Sequence, residues 1–453
     1  MTLLLPSSVA RSVARSAGWL SRRTGRGGGT TVPGVVLLKL RPDAVSELAE
    51  PLARSIVISA TNGKTTTARL VAATVEKSGA TVVANTAGSN LLRGVAAALL
   101  DADDVDGATG VFEVDEAALP SVVDQVQPDV VVLMNLFRDQ LDRYGELEML
   151  ADRWTELVES LPASTTLVVN ADDPAIAEFE HHHDNVVVFG VDDPSMARNS
   201  VQHAADSTTC RHCTSPLAYD HVFIGHIGHW RCTNCDRRRP TPDVSIRTIT
   251  PNGVAGSSLT VSTPQTELTV DSALPGLHNA YNVAAALAAA FALDINPIAA
   301  TDAAFGRAER IRLDDHDLMV LLAKNPAGVN ENVRTLLLHP EPVHVLIQLN
   351  DRTADGRDVS WIWDVDYEDL FDHLASLTIC GDRGYDMALR FRYGGFPIDR
   401  VSVHATPPAA LDAALAELPD GAPLFALPTY TAMLELRAEL VRRGVTDDFW
   451  KDE

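Results

Sequence analysis

Two α/β units, the first interrupted by a four-cysteine ribbon, are the architecture that this sequence predicts, and three observations predict it. Between residue 54 and about residue 170, short β-branched runs alternate with helix-forming stretches: SIVISA, TVVANT, GVFEVDE, DVVVLMNL and TTLVVNADD. Apolar strands spaced by helices give a mainly parallel sheet covered on both faces. Two CxxC knuckles, Cys210/Cys213 and Cys232/Cys235, follow with eighteen residues between them. After about residue 313 a second alternation begins: VHVLIQLN, a helix near 366–375, SLTICG, a helix, VSVHA, a helix, PLFALPTY and a final helix. This is a smaller Rossmann-like unit. A chain of 453 residues with 46% apolar content supplies cores for two to three domains.

The first strand carries the most informative turn. IVISATNGKTTT (56–67) is a β-branched run, a tight polar turn and then Lys64 before three threonines. ARLVAATVEKSG follows as a helix ending at Gly79, so the segment reads strand, phosphate loop, helix. Backbone N–H groups of such a loop cradle phosphates, here through Thr61, Asn62, Gly63 and Thr66. Lys64 is placed to reach the outer phosphates and the Thr65 hydroxyl to sit on Mg²⁺. The strict GxxxxGK[ST] pattern is not met, because Ile58 stands five positions before Gly63. Sites in parallel sheets lie beyond the carboxyl ends of strands. Glu113, Asn135 and Asn170 all fall at expected strand ends beside the loop, and Glu113 is a hard oxygen ligand suited to Mg²⁺.

Charge divides the chain. The net charge of −24 argues against nucleic acid as the main partner, since phosphate neutralisation needs clustered cations. No acidic residue precedes Asp43, whereas Arg11, Arg15, Arg22, Arg23, Arg26, Lys39 and Arg41 are basic. The apolar stretches there are short and interrupted by arginine, which does not make a secretory signal. Two readings stand for this end: an amphipathic basic helix over about 7–20 lying near an anionic membrane or substrate, and a partly ordered arm. No apolar run approaches the roughly 18 residues needed to span a bilayer.

The two knuckles have the spacing of a tetrahedral Cys₄ zinc site, in which thiolates lock a small ribbon. Four thiolates leave no position for a catalytic water, so a structural role is expected. Reduced thiols imply a reducing compartment. Cys380, after the apolar run SLTI, reads as a buried structural thiol. We place the ribbon at 206–240, as an insertion in the nucleotide-binding domain. Its DRRRP end (236–240) reads either as a solvated turn or as a phosphate contact.

At this point the chain resembles the Mur ligase superfamily, ATP-dependent enzymes that join an amine to a carboxylate through an acyl phosphate. The resemblance rests on TNGKTTT (61–67), Glu113, NLFRDQLDRYGE (135–146), NADDP (170–174), LPGLHNAYNVAAA (274–286) and GRAER (306–310), in the superfamily's order. It implies that Asn279 and Asn282, three apart on one helix face, meet the nucleotide, and that Arg310 belongs to the same site. Asn282 also reads as a plain helix-surface amide. Asp139-Gln140 replaces the superfamily's usual Asp-His pair, and LAKNPAGVN (322–330) stands where a His-Asn-Pro turn is usual. These departures leave ligation by Asp139 and Gln140, and any carbamylated lysine, unassigned.

The Cys₄ ribbon, the phosphate loop starting near residue 58 and the segment LNDRTADGRDVSWIWDVDYEDL (349–370) together resemble the MurT family within that superfamily. The resemblance implies a ligase subunit of a lipid II isoglutaminyl synthase. It implies attack of ammonia on the activated α-carboxylate of D-glutamate in the peptidoglycan stem, giving D-isoglutamine. It also implies a class I glutamine amidotransferase partner, GatD-like, in a heterodimer. The expected organisation is a basic N-terminal arm or helix over 1–45 and a central ATP-binding domain over 46–312. A Rossmann-like domain over 313–453 contacts the partner. The expected location is cytoplasmic, with contact at the inner face of the plasma membrane tied to the helix reading of the arm.

Residues 351–370 hold seven acidic side chains against Arg352 and Arg357, with Trp361 and Trp363 following. Exposed aromatics beside charge suit an interface hot spot, and a solvated loop with its tryptophans folded inward is the plain alternative. By resemblance, an aspartate of this loop completes the partner's Cys–His pair. Asp358 is the choice, with Asp355 and Asp351 as alternatives. Two competing functions remain: a ligase adding an amino acid, of the stem-peptide or folylpolyglutamate type, and a nucleotide-regulated zinc-ribbon binding module.

Overall fold

The computed structural model describes residues 5–24, 31–85, 89–102, 104–138, 146–203, 205–295, 310–313 and 315–446. Six strands come first: β1 (Arg54–Ser59), β2 (Val82–Ala84), β3 (Thr109–Val114), β4 (Val130–Leu133), β5 (Thr166–Asn170) and β6 (Val186–Val191). The hairpin β7 (Leu217–Ile224) and β8 (Ile227–Cys232) follows, then β9 (Val244–Pro251), β10 (Ser257–Ser262) and β11 (Glu267–Ser272). All but the hairpin join one nine-stranded sheet in the order β11-β10-β9-β6-β5-β4-β1-β3-β2. The stretch from β2 to β9 is parallel, and β10 and β11 are antiparallel to their neighbours. Strand β1 has β3 on one side and β4 on the other, so the chain order reverses there. That switch point is where an open α/β sheet forms its ligand crevice.

Alternation of side chains along each strand sorts the core into two faces. Ile56 and Ile58 of β1 pack with Val132, Val168 and the alanines of the helix Leu277–Ala292. Val57 points the other way, with Val131, Leu133, Phe112 and Trp154. The alanine-rich helix is buried along most of its length, and its short side chains let it lie close beside the helix Lys64–Lys77. The strands in the sequence reading are all present, although TVVANT is a three-residue strand.

At the amino end, the helix Ser7–Thr24 is followed by helices Val32–Leu40 and Ala44–Ala49. Ala10 and Ala14 are fully buried, and a Cβ on Gly18 would meet Pro33 at 2.5 Å. Small residues thus let this helix pack tightly on the domain. Arg15 fixes it further by donating to the Leu100 carbonyl at 2.9 Å. The opposite face leaves Val9, Val13, Trp19 and Leu20 exposed, with the Arg23 guanidinium 5.0 Å from the Trp19 ring. No helix among the described residues is long and apolar enough to cross a membrane.

The hairpin is inserted in the crossover between β6 and β9 and clamps onto the ends of β5 and β6. Trp230 Nε1 donates to the Ala171 carbonyl at 3.0 Å and the Gly228 amide to the Asp172 carbonyl at 2.8 Å. Of the three arginines after the second knuckle, Arg238 is exposed, as a solvated turn would have it, whereas Arg237 and Arg239 turn inward onto carboxylates. Arg239 pairs with buried Asp172 and lies 2.9 Å from Asp192, while Arg237 lies 3.3 Å from Glu178. Asp172 also accepts from the Tyr281 hydroxyl at 2.7 Å, so one carboxylate ties together ribbon, sheet and the alanine-rich helix.

The second sheet holds β12 (Arg310–Leu313), β13 (His316–Val320), β14 (Val343–Gln348), β15 (Leu374–Cys380), β16 (Val401–Val403) and β17 (Leu424–Pro428). Its order is β12-β13-β17-β14-β15-β16, parallel except for the β12–β13 pair. Strand β14 lies between β15 and β17, so this sheet has its own switch point at the end of β14. The helix expected near 366–375 is instead a 3₁₀ segment, Tyr367–His373, preceded by another at Ser360–Asp364. Tyr367 and Leu370 are buried, and the Asp366 amide is held by Asn330 Oδ1 at 2.8 Å, a tertiary hydrogen bond from the helix Pro326–Leu336 that fixes the chain just before Tyr367. Cys380 is a fully buried thiol, as its apolar setting predicts, and burial pushes its pKa up to about 11.

Candidate active site

The loop after β1 is preformed by side-chain amides. Asn135, just beyond β4, accepts from the Asn62 amide at 2.9 Å and donates to the Asn62 carbonyl at 2.9 Å. This two-point clamp fixes the peptide planes on either side of Asn62. Thr61 is tied to the same neighbour strand, with its amide on the Asn135 carbonyl at 3.1 Å and its hydroxyl accepting from the Phe137 amide at 3.0 Å. Gly63 then turns with φ of +89° and opens the helix Lys64–Lys77. A Cβ there would sit 2.1 Å from Asn282 Oδ1, so both conformation and space demand glycine. The first turn of a helix presents unpaired N–H groups and the positive end of the helix dipole, which suit an anion.

Lys64 is buried and waits in an ion pair. Its Nζ donates to the Ala60 carbonyl at 2.8 Å and lies 3.2 Å from Glu116 Oε2. Glu116 was not among the residues singled out from sequence. Its signal is a second glutamate three positions after Glu113 in GVFEVDE. Thr65 hydrogen-bonds the Glu113 carboxylate, bringing together the two oxygen ligands expected for Mg²⁺. Burial raises the Glu113 pKa, while the Thr65 bond and the nearby charges of Lys64, Arg69 and Lys324 pull it back. A hydroxyl and a largely buried carboxylate beside a phosphate loop are a donor set that fits a hard divalent cation.

Asn279 and Asn282 are both buried and belong to the loop's support. Asn282 Nδ2 donates to Asn279 Oδ1 at 2.9 Å, and Asn282 Oδ1 lies 3.4 Å from the Thr67 hydroxyl. The plain helix-surface reading of Asn282 therefore does not hold. Asn170 caps the end of β5 by donating to the Met134 carbonyl at 3.0 Å. Arg310 is placed elsewhere, on the edge strand β12, with Asp317 at 3.7 Å as its ion partner. Asp139, Gln140 and residues 306–309 of GRAER lie outside the described residues.

The second unit closes over the loop. Asn325 caps the helix Pro326–Leu336 by accepting from the Gly328 amide at 2.9 Å, and its Nδ2 donates to Asn62 Oδ1 at 2.9 Å. A cavity of about 440 Å³ opens beside this contact. One wall is the helix carrying Asn279 and Asn282, another the helix Pro326–Leu336, and Met134, Phe137, Phe189 and Ile224 make an apolar lining. The phosphate loop at one end and an apolar slot behind it suit a nucleotide, with phosphates on the loop and base in the slot.

The four cysteines of the ribbon come together as expected. Their sulfurs lie within 4.8 Å of one another, with Cys210 and Cys235 at 3.7 Å and Cys213 and Cys232 at 3.4 Å. A tetrahedral S₄ metal site with bonds of about 2.3 Å has sulfur–sulfur edges of about 3.8 Å. The Asn234 and Cys235 amides both approach Cys232 Sγ at 3.4 Å. The residues fit a metal ion held for structure.

In the acidic segment the tryptophans divide. Trp361 is buried and Trp363 is half exposed, with Tyr393 at 6.0 Å and the Arg390 guanidinium at 5.6 Å. The three candidate aspartates also divide. Asp355 is buried and spent on the fold, accepting from the Thr431 amide at 2.7 Å and from its hydroxyl. Asp351 pairs with Arg383 at 3.1 Å. Asp358 accepts from the Ser360 amide at 2.8 Å and has no ion pair among the described residues. The Ser360 hydrogen bonds hold its pKa below the usual carboxylate value.

Comparison with known proteins agrees with this geometry. The Mur ligase middle domain family matches residues 58–235, and the MurT ligase C-terminal family matches residues 322–433. A pseudomurein peptide ligase type C from Methanothermus fervidus superposes with a TM-score of 0.66 over 90% of this chain and 84% of its own, at 19% identity. MurF from Acinetobacter baumannii gives a TM-score of 0.65, covering 91% of this chain and 80% of that one, at 17% identity. The fold is that of the Mur-ligase class of ATP-dependent ligases.

The finer assignment comes from sequence. The lipid II isoglutaminyl synthase (glutamine-hydrolyzing) subunit MurT of Staphylococcus aureus strain N315 is 31% identical over 398 residues, 85% of this chain and 87% of its own length. The subunit of the same name from Streptococcus pneumoniae strain R6 is 29% identical over 452 residues, 97% of this chain and 98% of its own. The chain belongs to the MurT family.

Proposed function

We propose that this chain is the ATP-dependent synthetase subunit of a lipid II isoglutaminyl synthase. It would amidate the α-carboxylate of D-glutamate in the stem peptide with ammonia supplied by a glutaminase partner. The observation that carries the reading is similarity to MurT subunits along nearly the whole chain, joined to a preformed phosphate loop whose Thr65 and Glu113 meet. The carboxylate attacks the γ-phosphorus of ATP, forming an acyl phosphate and releasing ADP. Ammonia then adds to the acyl carbon, loses a proton, and expels phosphate to leave the amide.

Each residue has a task in that sequence. Loop amides from Thr61 to Thr66 hold the phosphates, and Lys64 exchanges Glu116 for the γ-phosphoryl charge. Thr65 and Glu113 would hold Mg²⁺, which offsets repulsion between the incoming carboxylate and the phosphates. Asn279 and Asn282 keep the loop in register with the base slot.

The partner side of the reading rests on the second switch point. Asp358 belongs to the loop that leaves β14, with a carboxylate not committed to any ion pair among the described residues. On the helix Gly384–Tyr393, Tyr385, Leu389 and Tyr393 recur every four residues and are exposed, next to Trp363. Such an aromatic stripe suits docking of an amidotransferase subunit, with Asp358 orienting the partner's catalytic histidine. An amino-acid-adding ligase is the competing reading, and it requires no ammonium-dependent product.

For the thiolate cluster we propose zinc, and for the N-terminal helix contact with an anionic bilayer through Val9, Val13, Trp19 and Leu20 beside its arginines. A cytoplasmic location follows from reduced thiols and use of ATP.

Four outcomes are expected. Asp358→Asn should cut glutamine-driven amidation about 10²-fold or more while ammonium-driven amidation persists. Lys64→Ala should abolish both, and loss of ammonium-driven activity in the Asp358 variant would refute its role. Elemental analysis should find one zinc per chain, and Cys210→Ser should release it and lower the melting temperature. Active, stable protein without zinc would exclude that site. The full chain should co-sediment with vesicles containing anionic lipid and lose that binding when Val13 and Leu20 become aspartate. Equal binding by the variant would remove the helix from membrane contact.

A further inference from the structure

The base slot contains two buried polar groups that the described residues leave unsatisfied. Glu331, on the helix Pro326–Leu336, is 2% exposed, lines the cavity, and neither carboxylate oxygen has a hydrogen-bond partner among the described residues. The two arginines whose charge acts on it are engaged elsewhere. Arg334 donates to the Met196 carbonyl at 2.6 Å and to the Phe223 carbonyl at 3.2 Å, and Arg198 lies 3.0 Å from Asp369. An unpaired buried carboxyl costs the fold free energy, so its retention at a cavity wall points to a ligand group that satisfies it.

The second group is His278, in the facing helix. Asn279 Nδ2 donates to the Pro275 carbonyl at 2.7 Å and lies 3.0 Å from His278 Nε2. That contact makes Nε2 the acceptor and leaves the ring proton on Nδ1, which is buried and has no partner among the described residues. Burial keeps this ring neutral, pushing its pKa down to about 4. Gly276 brings the two walls together, since a Cβ there would meet both the Thr335 hydroxyl at 2.7 Å and His278 Nδ1 at 2.9 Å. Thr335 lies one turn from Glu331 and donates to its carbonyl at 2.8 Å. The slot therefore offers an acceptor from Glu331 and a donor from His278, in a lining that mixes apolar side chains with the asparagines of the loop's support.

Adenine carries the complementary pair. Its exocyclic amino group donates, and the ring nitrogens beside it accept. We propose that Glu331 is a specificity-determining residue that accepts a hydrogen bond from the 6-amino group of the nucleotide, with His278 donating to an adjacent ring nitrogen. The inference rests on the nucleotide reading of the loop and adds to it the group that reads the base. Burial, the dominant influence on Glu331, favours its neutral form, and its carbonyl oxygen accepts in either form.

The test is a cycle between ligand and protein, measured as equilibrium binding to the full chain in Mg²⁺. The ligands are ATP and purine riboside triphosphate, which lacks the 6-amino group. The proteins are wild type, Glu331→Ala and Glu331→Leu, the second filling the space that the first empties. Wild type should bind ATP at least tenfold more tightly than the deaminated analogue, and both variants should bind the two ligands within about threefold. Equal binding of the two ligands by wild type, or a tenfold preference kept by a folded variant, would overturn the role of Glu331. Wild type that binds neither triphosphate would overturn the nucleotide reading itself.

Discussion

A phosphate-binding loop has to expose several N–H groups in one direction before any phosphate is present, and the rest of this molecule depends on how that is achieved. Backbone groups left to themselves satisfy one another or collapse onto the helix. Here the Asn135 side chain holds both faces of Asn62, while Gly63 turns into a conformation that only its missing Cβ allows. The cationic end of the machinery is stored rather than exposed. Lys64 rests against Glu116 in a buried pair whose members satisfy each other until a stronger anion arrives. A site arranged in this way loses little on ordering, so binding energy goes into holding the transferring phosphoryl group.

The same loop is where the two sheets communicate. Asn62 spends its backbone on Asn135 and its side chain on Asn325, which caps the first helix of the second unit. Further along the boundary, His203 faces Asp366 at 3.0 Å and Arg334 reaches back to carbonyls of the first unit. A ligand seated on the loop thus touches both units at once. The second sheet's own switch point lies past β14, where Asp355 pins the chain to Thr431 and leaves Asp358 three residues on, half exposed. Two switch points in one chain fit an enzyme in which phosphoryl chemistry and ammonia supply are handled on separate sheets.

Much of this was legible from local sequence, because strand period, a Gly-Lys-Thr turn and paired CxxC knuckles are short-range signals. A mainly parallel sheet, a ribbon inserted in the nucleotide-binding domain, and Glu113 at a strand end beside the loop that carries Thr65 are readings of that kind, whereas the strand order around β1 came from the fold. What stayed hidden is what only tertiary folding brings together. Glu116 looks like one more acid in GVFEVDE until the turn places it on Lys64. Arg239 sits in a run that composition reads as exposed, yet it closes on Asp172, far away in sequence. Asn-Pro at 325–326 is a visible helix start, but its grip on Asn62 spans the whole central domain. The 366–375 stretch misleads because its apolar spacing suits a helix, while Asn330 and the burial of Tyr367 hold it as 3₁₀ turns.

The central claim is that this chain activates a carboxylate as an acyl phosphate on the phosphate loop. It is tested most directly by isotope transfer. The stem-peptide lipid, carrying ¹⁸O in its α-carboxylate, would be turned over with ATP, Mg²⁺ and ammonium, and the released phosphate analysed by mass spectrometry. One ¹⁸O atom should appear in inorganic phosphate for each amide formed. Amide formed with unlabelled phosphate, or with the label in AMP, would contradict the account.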